Sequence, residues 1–224
     1  MIERIVDNLL ANADGATESE KMMFGMYNIA NAGALGFCLS KQDDMLSQWR
    51  GYADDGNGVS IGFSTKYLNL KDAEGNVPGY TLQKVYYKEI EQSRLLPPFV
   101  DSIRQLNREM ESISIEQLLD KTIEELSAYL IARFKIKNRA FREEKEWRLI
   151  SPYITNTKSG PECVELRTLR DRLIPYRSYT IEKNYIREIV LGPKNTTRKK
   201  DLKNYLQFQG FSKIDVRRSE ASYR

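Results

Sequence analysis

Apolar residues recur at helical spacing at the start of the chain, with Ile2, Ile5, Val6, Leu9 and Leu10 closed off by Asp14-Gly15. A second helix is predicted from Ser19 to Asn31, with Met22, Met23, Met26, Tyr27 and Ile29 as its apolar side. The period then changes. Ala34 to Ser40 reads as a buried strand and Asp43 to Tyr52 as a short helix with Asp43 near its N-cap. Asp54-Asp55-Gly56-Asn57-Gly58 signals a turn, Val59 to Phe63 alternates as a strand does, and Tyr80 to Tyr87 is a further predicted strand. From about Pro98 to Asn138 the pattern is amphipathic and helical, predicting two helices broken near Ser112-Ile113-Ser114. Glu146 to Tyr153 returns to β, and Asn156 to Pro161 is a polar loop. Strands are predicted over Cys163 to Arg167, Tyr176 to Ile181 and Ile186 to Leu191. A Gly192-Pro193 turn, a helix from Thr197 to Phe208 and a strand from Lys213 to Arg217 complete the pattern.

This order of elements predicts an α+β fold with a central, mostly antiparallel sheet. No repeat or low-complexity linker interrupts it, so a single domain over 1–224 is expected, with a helical N-terminal segment (1–32) and a helical insertion (97–139). With 224 residues, 41% of them hydrophobic, the chain has ample material for a core. Its longest apolar runs, such as Ile189-Val190-Leu191, are far too short for a bilayer. Met1-Ile2-Glu3-Arg4 opens no export signal, and two cysteines, Cys38 and Cys163, make no disulfide framework. A reduced, cytoplasmic setting without membrane contact is the expectation. The formal charge of +4 is concentrated from Lys183 onward, in Arg198-Lys199-Lys200 and Arg217-Arg218. Such a face suits phosphate, a dinucleotide or RNA, and equally an ordinary solvated helix.

The chain has no histidine. That excludes Ser-His-Asp and Cys-His triads and the His-ligated zinc hydrolases, leaving carboxylates, hydroxyls, tyrosines and Lys/Arg to carry any chemistry. Alternation along a strand places Glu144, Glu146 and Arg148 on one face, where one carboxylate can stabilise a developing cation and the other activate a nucleophile. Arg148 beside them would orient or depress one carboxylate. Trp49 and Tyr52 lie three apart on a short helix and can share a face, forming an aromatic wall near Gly56 and Gly58, while for Trp49 alone ordinary core packing is the favoured reading. Gly192-Pro193 before a helix is a weak phosphate-site signal. Asp54 or Asp55 with Glu143-x-Lys145 matches, at low specificity, a Mg²⁺ nuclease pattern.

Taken in order, Phe37-Cys38-Leu39-Ser40, Trp49-x-x-Tyr52-Ala53, Gly58-Val59-Ser60-Ile61-Gly62-Phe63 and Val85-Tyr86-Tyr87 form the first half of a longer set. Lys137, Glu144-x-Glu146-Trp147-Arg148 and Ile189-Val190-Leu191-Gly192-Pro193 complete it. From about Gly36 to the C-terminus this set resembles a bacterial family, domain of unknown function 2971. More distantly the chain resembles ADP-ribosyltransferase folds, which split NAD⁺ with a strand-borne glutamate, often in Glu-x-Glu. That resemblance implies NAD⁺ as substrate, Glu146 as the catalytic residue and Glu144 on the acceptor side. It also implies Tyr52 as the nicotinamide-stacking residue with Trp49 supporting the pocket. Ser40, Arg50 and Arg148 complete the implied NAD-binding set, Arg50 standing by position for the first-strand cation of such enzymes. An effector acting as a bacterial toxin or in anti-phage defence, with a protein or nucleic-acid acceptor, goes with it. Two other functions stay open on the residues: the Mg²⁺ nuclease, and a non-enzymatic sensor or partner-binding module using the basic C-terminal face.

Overall fold

The computed structural model describes residues 32–68, 80–95, 97–109, 112–154, 164–211 and 213–223. In chain order they form β1 (Ala32–Ser40), α1 (Leu46–Tyr52), β2 (Val59–Phe63), α2 (Thr65–Leu68), β3 (Thr81–Lys84), α3 (Glu89–Gln92) and α4 (Pro97–Glu109). There follow α5 (Ile115–Phe134), β4 (Glu146–Ile154), β5 (Glu165–Leu169), β6 (Arg172–Tyr176), β7 (Ile186–Leu191), α6 (Lys199–Phe208) and β8 (Asp215–Arg218). Short 3-10 segments occur at Asp54–Gly56, Arg139–Glu144 and Lys183–Tyr185. The class is α+β, as the pattern predicts. Its strands make a sheet of order β1-β4-β3, a second of order β2-β7-β8, and the hairpin β5-β6. The two N-terminal helices predicted before Asn31, the Asn156–Pro161 loop and Cys163 lie outside the described residues. Among the described residues no helix is long and apolar enough to cross a membrane.

The chain divides into two compact units: Met1–Cys38, Gly79–Arg142 and Arg148–Arg177 in the first, Leu39–Pro78, Glu143–Trp147 and Ser178–Arg224 in the second. In the first, the helical stretch breaks where the sequence places the break. Ser114 caps α5: its side chain accepts from the Gln117 N–H at 3.2 Å, and Gln117 Oε1 accepts from the Ser114 N–H at 3.1 Å. Glu109, at the end of α4, takes Lys121 Nζ of α5 at 2.6 Å and so ties the two helices together. Val85, Leu106, Leu130, Ile136 and Ile150 are among this unit's buried apolar residues. The hairpin β5-β6 turns at Arg170-Asp171, with Arg170 at φ 55. The strand predicted from Tyr176 to Ile181 is therefore displaced: β6 ends at Tyr176, having already paired with Glu165.

In the second unit β2 and β7 form with the predicted boundaries and pair antiparallel, Val59 opposite Leu191 and Ile61 opposite Ile189. β7 pairs with β8 in parallel, Ile189 opposite Val216, which requires a crossover, and α6 supplies it. Leu206 of α6 packs on Ile189, Leu191 and Val216, with Leu202, Phe211 and Ile214 completing the cluster. α6 begins at Lys199, two residues later than predicted. α1 begins at Leu46 behind Met45, which makes no side-chain cap bond. Asp43 is not its cap; it pairs with Arg217 instead.

Candidate functional site

β1 ends at Ser40, and the next residue fixes what lies beside it. The Lys41 N–H donates to the Lys145 carbonyl at 3.1 Å. The Ser40 hydroxyl donates to the Glu144 carbonyl at 2.8 Å and accepts from the Gln42 N–H at 3.0 Å. The main chain of Glu144-Lys145 is thus pinned at two points. Lys145 sits at φ 44, in the left-handed region that disfavours side chains carrying a Cβ.

That one dihedral corrects the predicted strand face. Glu144 is the last residue of the Arg139–Glu144 turn, and β4 starts at Glu146, so Glu144 does not alternate with Glu146 along a strand. Both carboxylates are nonetheless buried, Glu144 with 9% and Glu146 with 4% of its surface exposed, while Lys145 between them is exposed. Burying two acids two positions apart is costly unless each is hydrogen-bonded. Glu144 receives the Tyr52 hydroxyl on Oε1 at 3.3 Å.

Tyr52 ends α1 and is 71% exposed, with its phenol over Glu144. Trp49, three residues earlier, has the opposite fate. It is 2% exposed, and its Nε1 donates to Asp44 Oδ1 at 2.7 Å. The aromatic wall that their spacing allows is not built: Tyr52 presents a ring to solvent, and Trp49 is the core residue that its favoured reading makes it. Arg50 stacks on Tyr223, its guanidinium carbon 5.1 Å from the ring centroid. It also lines, with Ser47, Gly51 and Glu143, a cleft of about 630 Å³ along α1. Ser47 Oγ is buried there without a hydrogen-bond partner. Arg148 belongs to the other unit, where its Nη1 donates to the Phe134 carbonyl at 2.6 Å. The second unit therefore brings Ser40, Tyr52 and Glu144 together and leaves Trp49 behind them in the core.

Of the residues in the nuclease pattern, Asp55 is held by other partners. Asp55 pairs with Lys194 Nζ at 2.7 Å and accepts the Tyr223 hydroxyl. The Lys194 ammonium first, and the Tyr223 hydroxyl next, hold the Asp55 carboxyl below its ordinary range. Lys194 Nζ also sits 3.9 Å from the Tyr223 ring centroid. Tyr223 carries no periodic signal in the sequence, so this cluster of Asp55, Lys194, Tyr223 and Arg50 was not legible there. Among the described residues no group of three or more acidic or thiol side chains is placed to hold a metal ion.

Residues 48–149 match the model of a family described as "Protein of unknown function (DUF2971)". The DUF2971 match supports the family resemblance drawn from the motifs and covers just under half of the chain. It includes Trp49, Tyr52, Glu144, Glu146 and Arg148. It is narrower than the motif set, since Phe37 to Ser40 and Ile189 to Pro193 fall outside it. Neither the curated proteins nor the solved structures contain a match.

Proposed function

We propose that the second unit is an ADP-ribosyltransferase-like catalyst that cleaves the nicotinamide–ribose bond of NAD⁺. The observation that carries this reading is the hydrogen bond from the exposed Tyr52 phenol to the buried Glu144 carboxylate, beside a second buried carboxylate at Glu146. An exposed ring offers a face on which nicotinamide can stack. A buried carboxylate stabilises a developing oxocarbenium ion more strongly than a solvated one does. Nicotinamide leaves with the electron pair of the bond between its nitrogen and C1′ of the ribose, and the acceptor's nucleophilic atom bonds to that carbon. Glu146 stabilises the cation, and Glu144 takes the acceptor's proton while Tyr52 and Ser40 hold it in place. The cleft beside Arg50 has the volume of a ligand pocket, and the guanidinium supplies charge for the pyrophosphate. The acceptor in this reading is a protein or nucleic acid, and a bacterial toxin or anti-phage effector is the corresponding biological role.

The test is nicotinamide release from NAD⁺ by purified protein, with and without cell lysate. Glu146→Gln is expected to lower turnover about 100-fold or more with an unchanged thermal midpoint. Full turnover by a normally folded Glu146→Gln protein sinks the assignment. Tyr52→Phe keeps the ring and loses the hydroxyl, so kcat is expected to fall about tenfold with KM for NAD⁺ nearly unchanged. Lysate-dependent release separates transfer to an acceptor from hydrolysis.

A further inference from the structure

Helix α6 carries a surface that neither the fold nor the NAD⁺ reading uses. Leu202 and Leu206, one turn apart, point inward onto Ile189, Leu191 and Val216. At about 100° per residue, positions two away from these leucines face the opposite side. Lys200, Asn204 and Phe208 therefore run as one stripe, at i, i+4 and i+8, along the outer face. All three are exposed, Phe208 with 87% of its surface, and Tyr205 beside it with 59%.

The charge along this face has one sign. Lys199, Lys200 and Lys203 are exposed, and Asp201, the one acid of α6, is taken by Arg198 at 2.7 Å. Among the described residues, none of these three lysines has an acidic partner. The cations continue past the other end of the helix. Lys183 Nζ donates to the Gln209 carbonyl at 2.5 Å, which fixes it at the C-terminal end of α6. With Lys213 and Phe211 it lines a cavity of about 200 Å³ that has no acid in its wall. Positive charge thus stands at both ends of a helix about 15 Å long, with the two exposed rings between.

Cations spread over that length suit a linear polyanion better than one small anion. The rings decide which polyanion. A run of carboxylates would leave Tyr205 and Phe208 in water, whereas every nucleotide base has a π-face to lay on an exposed aromatic. A bilayer surface needs a broad apolar face, and the leucines of α6 point into the core. A duplex keeps the faces of its bases inside the stack, so a stacking platform selects an unpaired strand. We infer that the outer face of α6 binds single-stranded nucleic acid, with bases on Phe208 and Tyr205 and backbone phosphates on Lys200, Lys203 and the lysines at either end. The exposed amides of Asn204 and Gln207 lie on the same face and offer both donors and acceptors to base edges. Ser40, Tyr52, Glu144 and Glu146 take no part, so the surface stands whether or not the chain cleaves NAD⁺.

Fluorescence anisotropy of the full chain with a labelled oligouridine of about twelve nucleotides tests it. The comparison probes are the matching duplex, heparin, a polyglutamate peptide and phosphatidylserine vesicles. The single strand is expected to bind about tenfold or more tighter than the duplex, with an affinity that falls as salt rises. A Lys200→Ala/Lys203→Ala double variant, changed at exposed positions, is expected to lose about tenfold in affinity and to show a shallower salt slope at an unchanged thermal midpoint. Phe208→Ala is expected to weaken the single strand about tenfold and to leave heparin, a polyanion without bases, unaffected. Glu146→Gln and Tyr52→Phe are expected to bind the strand as the parent does, whatever their effect on NAD⁺. Absence of single-strand binding, or an affinity indifferent to the two lysines, overturns the surface. Equal affinity for the duplex, or an equal loss for heparin in Phe208→Ala, overturns the stacking of unpaired bases. Tighter binding of polyglutamate or of the vesicles overturns nucleic acid as the occupant, and loss of binding in Glu146→Gln overturns its independence.

Discussion

Gly192→Ala is expected to destabilise the protein by roughly 3 kcal/mol, because the added methyl group has nowhere to go. A Cβ at Gly192 would lie 2.3 Å from the Gly56 carbonyl oxygen, 3.0 Å from the Gly56 carbonyl carbon and 3.0 Å from the Gly58 oxygen. These are backbone atoms, and backing them away breaks what holds the loop. The Gly192 N–H donates to the Gly58 carbonyl and the Lys194 N–H to the Gly56 carbonyl, each at 3.0 Å. Asn195 Nδ2 adds a bond to the Asn57 carbonyl at 2.6 Å. Asp54 and Asp55, at φ 47 and 49, and Gly56, at φ 90, depend on those bonds to stay in left-handed conformations. Urea unfolding followed by tryptophan fluorescence measures the loss. Gly51→Ala is the contrasting variant. Gly51 lies inside α1 with open space where its Cβ would stand, so the substitution is expected to stabilise by about 0.5–1 kcal/mol. If both variants unfold at the parent's midpoint, neither the close approach at Gly192 nor the open site at Gly51 governs stability.

The elements legible in the sequence are those whose signals are local. β2 and β7 formed where alternation and β-branched residues placed them, and the helical break at Ser112-Ile113-Ser114 became a reciprocal cap at Ser114. Asp43 precedes an apolar run and so reads as a cap, yet its partner is Arg217, far beyond any local window. The Glu144–Glu146 face failed for a different reason. Alternation assumes a continuous strand, and Lys145 turns left-handed without the Gly or Asn that would have announced it. The segment was right and its geometry was not. Trp49 and Tyr52 have helical spacing, but α1 stops at Tyr52, leaving that ring in solvent while Trp49 is drawn into the core by its bond to Asp44. Gln92 sits in a polar stretch with no pattern to distinguish it, and only the convergence of Tyr86 and Lys137 on its amide shows its position.

Asp44→Ala is the second large loss expected, about 2–4 kcal/mol at neutral pH, since one carboxylate answers several donors. Its Oδ1 accepts from Trp49 Nε1 at 2.7 Å and from Ser219 Oγ at 2.5 Å. Its Oδ2 accepts from the Glu220 N–H at 2.6 Å and lies 3.8 Å from Arg217 Nη1. Removing it leaves the indole N–H of a buried tryptophan without its acceptor and frees the chain at Ser219-Glu220. Burial pushes the Asp44 carboxyl up, but the Ser219 hydroxyl, the Trp49 indole, the Glu220 N–H and the Arg217 charge together outweigh it and hold it below the ordinary range. A carboxyl with a lowered folded pKa binds protons less readily than in the unfolded chain. Its contribution is therefore complete above the unfolded pKa and is lost as pH falls through the folded one. Asp44→Asn retains an acceptor for the indole and cannot titrate, so it is expected to cost less than Asp44→Ala at pH 7. Between about pH 5 and pH 3 the parent is expected to lose stability faster than Asp44→Asn, closing the gap between them. Urea midpoints at the two ends of that range measure it, and parallel losses would mean that the Asp44 proton is not linked to folding. The linkage bears on the candidate site because Asp44 holds Trp49 in α1, the helix that carries Tyr52 to Glu144. Protonating Asp44 therefore loosens the support of the Tyr52–Glu144 pair as well as the fold.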